Sequence, residues 1–179
     1  MSRVKYYMNK ILSRFSHNSH EYMNQYYRNL GISIGDNTHI FSEIVTSEPY
    51  LISIGSNCTI ATNVCLLTHD ASIGIFLGRD QASDLCGEII IGDNCFIGAG
   101  VIIMYGVHIP NNTIIAAGSV VTRSPEEEGC IIGGNPAKRI GTVDAFLEKT
   151  KQNRFSLHGM GFEERKQFIK SCSHMYIRR

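Results

Sequence analysis

An aliphatic residue recurs every six positions along much of this chain. The longest unbroken run comprises Ile91, Ile97, Ile103, Ile109, Ile115 and Val121. Shorter runs with the same spacing are Ile34 and Ile40, and then Ile54, Ile60 and Leu66. A period of six fits neither the 3.6-residue turn of an α-helix nor the two-residue alternation of a plain strand. The chain must therefore use a fold that buries one aliphatic side chain in every six residues.

Two further positions of the repeat have their own preferences. Four residues after each aliphatic position stands a small or β-branched residue: Thr38, Ile44, Cys58, Val64, Cys95, Val101, Val107, Thr113 and Ser119. Three residues after it stand Asn37, Glu43, Asn57, Asn63, Asn94, Gly100, Gly106, Asn112 and Gly118. Asn and Gly tolerate a positive φ, so each hexad is predicted to be a short strand closed by a tight corner. Three hexads form one triangular coil, and stacked coils form an all-β solenoid, the parallel β-helix of hexapeptide repeats.

Composition indicates one compact protein rather than a membrane-spanning or nucleic-acid-binding one. The chain has 179 residues, 43% of them hydrophobic, and a net charge of +1. It has no apolar run of about 18 residues and no apolar signal core near its start, so we expect a cytoplasmic protein without stable membrane insertion. The small net charge gives no argument for nucleic acid as a partner. The six cysteines lack a C-x-x-C pair, and reduced core thiols are expected at Cys58 and Cys95.

The repeat divides the chain into three parts. Residues 1–31 carry no hexads, and the spacing of Val4, Met8, Ile11, Leu12 and Phe15 predicts an amphipathic helix. The stacked triangular coils form a prism. We expect the apolar face of this helix to pack on the end of that prism or on a partner subunit rather than on a membrane. Residues 32–140 form the β-helix, and residues 141–179 have helical spacing that would cap its open end.

Within the β-helix the repeat is interrupted twice. Two extra residues occur near Glu48-Pro49-Tyr50, which predicts a bulge at a corner. A longer break at residues 70–88 predicts an excursion loop. Long loops on a rigid scaffold often carry function, so Phe76, Arg79 and Asp80 in this loop are candidates for shaping an acceptor pocket or covering a coenzyme.

The most informative candidate for chemistry is His69. It occupies a corner position that elsewhere holds Asn or Gly, and Asp70 follows it where a small inward residue belongs. An imidazole with an ordinary pKa near 6.5 can take a proton from a hydroxyl group at neutral pH. Asp70 could either orient that imidazole or simply turn the chain. His39 and His108 fall in flanking positions, where solvent exposure is the simpler interpretation.

A second candidate is the basic pair Lys138-Arg139, which follows Gly133-Gly134-Asn135-Pro136 at the end of the repeat. Cations held by such a turn can bind phosphate groups. Thr122-Arg123, at the end of the last hexad, is a further basic position near by.

The hexads, the Thr68-His69 motif and the segment IGAGVII…NTIIAAGSVVTR…GGNPAKRI together resemble the hexapeptide-repeat O-acetyltransferases. The resemblance covers residues 32–141 and is closest to the galactoside, maltose and capsular-polysaccharide enzymes. It implies a left-handed β-helix, a homotrimer with active sites between subunits, acetyl-CoA as acyl donor and a sugar or polysaccharide precursor as acceptor. The reaction that the resemblance implies requires no metal ion.

The resemblance also implies roles for individual residues. His69 would be the general base in a direct transfer from acetyl-CoA within a ternary complex. Glu48 lies near the position of the family's acceptor-binding carboxylates. The coenzyme-binding residues would be Ala99, Ala117, Thr122, Arg123 and Lys138, with Arg139 replacing an arginine that this family has at Gly141.

Other functions remain open at this point. Serine and streptogramin acetyltransferases share the predicted fold, although a helical segment of 31 residues is short for a serine enzyme. A γ-carbonic anhydrase would need three neutral imidazoles around zinc, and no histidine lies within five residues of His69. A non-catalytic scaffold would not need His69 or the basic pair at all.

Overall fold

The computed structural model describes residues 3–77 and 83–177. These residues form two compact units, Met1–Val143 and Asp144–Arg179, and each unit is described by itself. Arg79 and Asp80 of the predicted loop lie outside the described residues.

The first unit is built from short strands that stack in three parallel sheets. The first face contains β1 (Ser33–Ile34), β3 (Ile52–Ile54), β8 (Ile89–Ile91) and β11 (His108–Ile109). The second face contains β2 (His39–Ile40), β4 (Thr59–Ile60), β9 (Phe96–Ile97), β12 (Ile114–Ile115) and β14 (Cys130–Gly134). The third face contains β5 (Cys65–Leu66), β10 (Ile102–Ile103) and β13 (Val120–Val121). The chain visits the faces in cyclic order, so each circuit adds one coil to the stack, as the six-residue period predicts.

Both inward positions of the repeat are buried. Ile60, Ile97, Ile103 and Ile115 have no exposed surface. The small positions are buried as well, and Thr113 and Ser119 satisfy their hydroxyl groups by donating to the carbonyls of Asn111 and Ala116. A narrow prism has room for one large and one small side chain per hexad, which explains why the two positions differ in size.

The corners have the backbone conformation that their residues predict. Eight of the nine corner residues have positive φ, and Glu43 is the exception: Asn37, Asn57, Asn63, Asn94, Gly100, Gly106, Asn112 and Gly118. At the edge between the first and second faces, asparagines of successive coils are joined by hydrogen bonds. Asn37 donates to Asn57 at 2.9 Å and Asn94 donates to Asn112 at 3.2 Å. These side-chain bonds therefore add to the backbone bonds that join the coils at the same corners, such as Asn57 N–H to the carbonyl of Asp36 and Asn112 N–H to that of Asp93.

The two interruptions of the repeat have distinct structures. The insertion of two residues near Glu48 is accommodated in a short 3₁₀ helix, Pro49–Leu51. The longer break contains β6 (His69–Asp70), helix α3 (Ile73–Leu77) and β7 (Leu85–Cys86). Strands β6 and β7 pair antiparallel, so the excursion leaves and rejoins the coils through a small hairpin.

The repeat ends in a second hairpin. Strand β15 (Ala137–Thr142) pairs antiparallel with β14, and the turn between them contains a cis Asn135–Pro136 peptide bond. The antiparallel strand covers the edge of the second face that a further coil would otherwise have extended.

Two helices precede the coils. These are α1 (Arg3–Ser13) and α2 (Ser19–Asn29), and α2 is anchored by polar contacts. The side-chain amide of Asn24 donates to the backbone carbonyl of Thr38 at 2.7 Å. The buried hydroxyl of Tyr27 donates to the backbone carbonyl of Ser42 at 3.0 Å. The predicted helix is thus confirmed as α1, but it ends before Phe15.

The apolar face of α1 does not pack on the prism end, whereas its packing on a partner subunit stays a prediction. The side chains of Val4, Met8, Ile11 and Leu12 are each at least half exposed. The buried residues of α1 are Tyr6 and Ser13 instead. Amphipathic spacing identified the helix correctly but did not show which side faces the protein.

The second unit is helical, as its sequence predicts. It contains α4 (Val143–Lys149), which starts at the unit boundary, and α5 (Phe162–Ser171), with 3₁₀ turns at Lys151–Asn153 and Ser173–Met175. Its aromatic contacts join Phe155 to Phe168 and Tyr176. The capping role proposed for this tail stays a prediction. None of the helices within residues 3–77 and 83–177 has the length and apolar character needed to span a bilayer.

Truncating an inward isoleucine should destabilise the coils. We expect Ile97→Ala to lower the free energy of unfolding by about 2–5 kcal/mol, because it leaves a cavity between coils that cannot close. Thr62→Ala, at an exposed position one coil below, should change it by less than about 0.5 kcal/mol. Urea-induced unfolding measures both values, and equal effects of the two substitutions would contradict the assigned core.

Candidate active site

His69 lies at the edge where the third face turns toward the first. It follows the third-face strand β5 by three residues, and its side chain is 37% exposed. Its Nδ1 atom lies 2.8 Å from Oε2 of Glu48, which is 21 residues earlier in the chain. The imidazole is therefore fixed on one side and open to solvent on the other.

Glu48 is held by a closed set of hydrogen bonds. The same Oε2 atom accepts a hydrogen bond from the buried Thr68 hydroxyl at 2.8 Å. The Thr46 hydroxyl lies 2.6 Å from that of Thr68 and accepts from the backbone N–H of Glu48 at 3.0 Å. Since Thr68 donates to the carboxylate, Thr46 must donate to Thr68. Each donor in this small network has one acceptor, so the carboxylate position is well defined.

These contacts determine which nitrogen of His69 carries the proton. Hydrogen bonds from Thr68 and then His69 lower the pKa of the Glu48 carboxyl group, so it is ionised at neutral pH. An ionised carboxylate can only accept, and therefore Nδ1 of His69 is the donor. In the neutral imidazole the lone pair is then on Nε2, the nitrogen available to take a proton.

Asp70 has different partners. Its carboxylate accepts from the backbone N–H of Ser72 at 2.8 Å and from the Tyr105 hydroxyl at 3.4 Å. The Ser72 backbone bond is the main reason that its pKa is lowered. Of the two possibilities left open by the sequence, this geometry favours turning the chain, and Glu48 holds the imidazole.

Cys86 is a neighbour of His69 that the sequence did not indicate. The two residues are directly opposite in the β6–β7 hairpin, and the backbone N–H of Gly87 bonds to the carbonyl of Thr68. That pattern makes His69 and Cys86 a non-hydrogen-bonded pair, in which opposing side chains lie closest. The exposed Cys86 side chain therefore stands beside the imidazole.

The predicted coenzyme-binding residues lie on two different edges. Thr122 and Arg123 follow β13, which is stacked above β10 and β5 in register. They share the edge of His69, two coils away, at an axial separation of about 10 Å. Ala99 and Ala117 instead follow β9 and β12, at the edge between the second and third faces. A single chain thus does not bring all of these residues together.

The terminal hairpin separates the two basic residues that the sequence grouped. Arg139 pairs across the hairpin with the buried Ile132, on the side that faces the prism axis. There it contacts Glu127 at 2.8 Å and, together with Arg123, lines a cavity of about 260 Å³. Lys138 points to the opposite, outer side of the strand because side chains alternate. It is exposed and has no ion pair with any residue that the structure describes.

The structure also bears on metal binding. Within residues 3–77 and 83–177, no three His, Cys, Asp or Glu side chains converge in a group that could hold a metal ion. His39 is stacked on His20 at a ring separation of 4.3 Å, far along the chain from the network around His69.

Comparison with known proteins identifies relatives of the chain. Residues 88–123 match the family described as hexapeptide repeat of succinyl-transferase. The chain is 39% identical over 145 residues to Protein CapG of Staphylococcus aureus, which covers 79% of this chain and 84% of that protein.

Two solved structures have a similar fold. A hexapeptide-repeat-containing acetyltransferase of Vibrio cholerae, in complex with acetyl coenzyme A, has 25% sequence identity and a TM-score of 0.61 over 78% of this chain and 86% of the other. A maltose O-acetyltransferase of Clostridium difficile has 28% identity and a TM-score of 0.53, over 76% and 84% of the two chains.

Glu48→Gln should reduce stability in a pH-dependent way. The folded pKa of Glu48 is below its ordinary value of 4.5, so its carboxylate stabilises the fold above that pH and loses the effect as the pH falls through the folded pKa. We expect Glu48→Gln to lower the Tm at pH 7, and the difference from wild type to shrink at about pH 3. Thermal unfolding followed by circular dichroism measures this difference.

The control is Glu126→Gln, at an exposed position in the segment Pro125-Glu126-Glu127-Glu128-Gly129, which should leave the Tm almost unchanged. A Tm difference of equal size at both pH values would show that the Glu48 carboxylate has no stabilising charge.

Proposed function

As this chain belongs to the hexapeptide-repeat acetyltransferases, we propose that it moves the acetyl group of acetyl-CoA to a hydroxyl group of a sugar or of a polysaccharide precursor. The observation that carries this proposal is the pairing of His69 with Glu48, which leaves the lone pair on Nε2 of an imidazole whose side chain is 37% exposed. An acetyl-CoA complex of a relative with the same fold supports the choice of donor. The maltose O-acetyltransferase structure supports a sugar as acceptor.

In the proposed reaction, Nε2 of His69 takes the proton from the acceptor hydroxyl as its oxygen attacks the thioester carbonyl. The carbon–sulfur bond breaks when the tetrahedral intermediate collapses, and the coenzyme A thiolate receives the proton from the imidazolium. The acetyl ester and free coenzyme A are the products, without an acyl-enzyme. Glu48 lies 2.8 Å from Nδ1 and would stabilise the positive charge that forms on the ring between these two proton transfers.

We propose that a homotrimer assembles the complete site. His69, Thr122 and Arg123 lie on one edge, whereas Ala99 and Ala117 lie on another. Two chains that place these edges side by side would form a groove with residues of both, and threefold symmetry would repeat it three times. A left-handed coil, the hand of the fold that the sequence resembles, completes the proposed architecture.

Lys138 is the proposed contact for a coenzyme phosphate, and Ala99 offers only its backbone N–H. The hairpin turn that precedes Lys138 stacks over the same edge as Ala99 and Ala117, because β14 lies above β12 and β9. Lys138 also points outward and is unpaired among the described residues, whereas Arg139 contacts Glu127. The structure therefore favours Lys138 over Arg139 for this role. We further propose that the reaction occurs in the cytoplasm, where acetyl-CoA is the available donor.

His69→Ala should abolish most of the activity without loss of coenzyme binding. We expect kcat to fall by about 10²–10⁴-fold, because the acceptor hydroxyl loses its base. The assay follows release of the coenzyme A thiol with acetyl-CoA and a panel of sugars and nucleotide sugars. Coenzyme A affinity, measured by calorimetry, should remain that of the wild type.

His158→Ala, at an exposed position in the second unit, is the matched control and should retain full activity. A loss of less than tenfold in His69→Ala would show that another group is the base. Thiol release with serine or a streptogramin, but with no sugar, would replace the proposed acceptor with one of those alternatives.

Lys138→Ala should weaken coenzyme A binding by about tenfold or more, since a charge-assisted contact to phosphate is lost. Arg139→Ala is the matched comparison on the other side of the same strand, and we expect little change in coenzyme Kd from it. Calorimetric titration with coenzyme A and with dephospho-coenzyme A measures both effects. A larger loss in Arg139→Ala than in Lys138→Ala would assign the phosphate contact to the inner side of the hairpin.

A further inference from the structure

Helix α1 presents its apolar side to solvent. Val4 is 68% exposed, Met8 57%, Ile11 56% and Leu12 50%, and Tyr7 and Phe15 are exposed as well. With about 100° of rotation per residue, the exposed apolar side chains lie within an arc of about 140° around the helix axis, and Tyr7 and Leu12 are at its two limits. An ordinary surface helix points such an arc toward the core of the protein.

The opposite side of α1 attaches it to the first unit. Tyr6 and Ser13, which lie about 180° from the centre of the apolar arc, are the buried residues of the helix. The Tyr6 ring contacts the rings of Tyr26 and Tyr27 on α2 at centroid distances of 6.5 Å. The orientation of α1 is therefore fixed by packing, and its apolar arc is held outward.

All charged residues of α1 and of the turn after it are basic. Residues 1–20 contain Arg3, Lys5, Lys10 and Arg14 and no Asp or Glu. On the helix, Arg3 and Lys10 lie along one border of the arc and Lys5 lies along the other. Lys10 reaches back over the Tyr6 ring, with Nζ 5.4 Å from its centroid. An outward apolar strip with positive charge along both borders fits a surface that has an apolar interior and anionic groups at its face.

Charge favours one occupant of this surface over another. A second copy that docked through the same helix would place four cations against four cations, with no acidic residue in residues 1–20 to compensate them. An anionic lipid surface instead pairs these cations with phosphate groups and buries the apolar side chains at the boundary of the acyl chains. A helix of 11 residues is too short to cross the bilayer but long enough to lie in its interface.

We propose that α1 is an interfacial helix that binds the chain reversibly to an anionic phospholipid bilayer, with Val4, Met8, Ile11 and Leu12 in the headgroup layer. This binding goes beyond the proposed acetyl transfer and does not depend on it. It differs from the expectation from the sequence, in which this face packs on the protein or on a partner subunit, and it requires no membrane-spanning helix; none is present among the described residues.

Co-flotation of the full chain with lipid vesicles tests the proposal. We expect the wild type to float with vesicles of phosphatidylcholine mixed with phosphatidylglycerol, and not with phosphatidylcholine alone. Met8→Ser/Ile11→Ser/Leu12→Ser should weaken binding by about tenfold or more, because the apolar strip is lost. Lys5→Gln/Arg14→Gln should weaken binding and make it less sensitive to added salt.

Phe162→Ser is the matched control, since Phe162 is 79% exposed beside Lys166 on α5 of the second unit. It should bind anionic vesicles as the wild type does. The α1 variants should keep the wild-type Tm and the wild-type rate of thiol release with a soluble acceptor, which separates this test from that of the catalytic function.

Three outcomes would overturn the proposal. The wild type could fail to float with anionic vesicles, or the triple serine variant could bind them as tightly as the wild type does. The triple variant could instead lower the molar mass measured by light scattering, which would show that α1 joins copies of the chain.

Discussion

Stacking of coils in strict register is the constraint on which this structure depends. Successive strands of a face pair residue by residue, so Leu66, Ile103 and Val121 form one inward column on the third face. The register persists because eight of the nine hexad corners use left-handed backbone, which Asn and Gly adopt at low cost. Consequently, the position of a residue within its hexad determines the face or edge on which it lies. The edges become straight lines along which functional groups are spaced at intervals of about 4.8 Å.

The candidate site forms where this register fails. Glu48 belongs to the segment that gains two residues, and His69 stands where the excursion begins. The two residues are 21 positions apart in sequence, yet their side chains are hydrogen-bonded at 2.8 Å. The extra residues bring Glu48 to the edge beside His69, where the Thr68 hydroxyl, itself bonded to that of Thr46, holds the carboxylate. Departures from local sequence rules at functional positions are expected for this reason.

Periodicity made the core predictable from the sequence, whereas features that depend on orientation were missed. Every inward hexad position assigned from the sequence is buried, since a six-residue period admits one solution for the core. The Glu48–His69 contact could not be predicted, because the path of a chain through an insertion of two residues has no periodicity. The outward side of α1 was also missed, since spacing shows that a helix has two sides but not which side meets the protein. The opposed directions of Lys138 and Arg139 depend on the terminal hairpin, whose antiparallel return has no signal in the hexads.

The exposure of the His69–Glu48 pair bears on how strongly the carboxylate can act on the imidazole. His69 is 37% exposed and Glu48 is 19% exposed, so water screens the charge between them in the isolated chain. A carboxylate stabilises an imidazolium ion more strongly when water is excluded, because the effective dielectric constant falls. Among the described residues, the side chains of the His69 edge leave the imidazole open to water, whereas a second edge carrying Ala99 and Ala117 would supply a smooth apolar wall. In the proposed trimer, the separation of these residues on different edges would let two chains and both substrates exclude water from around the proposed base.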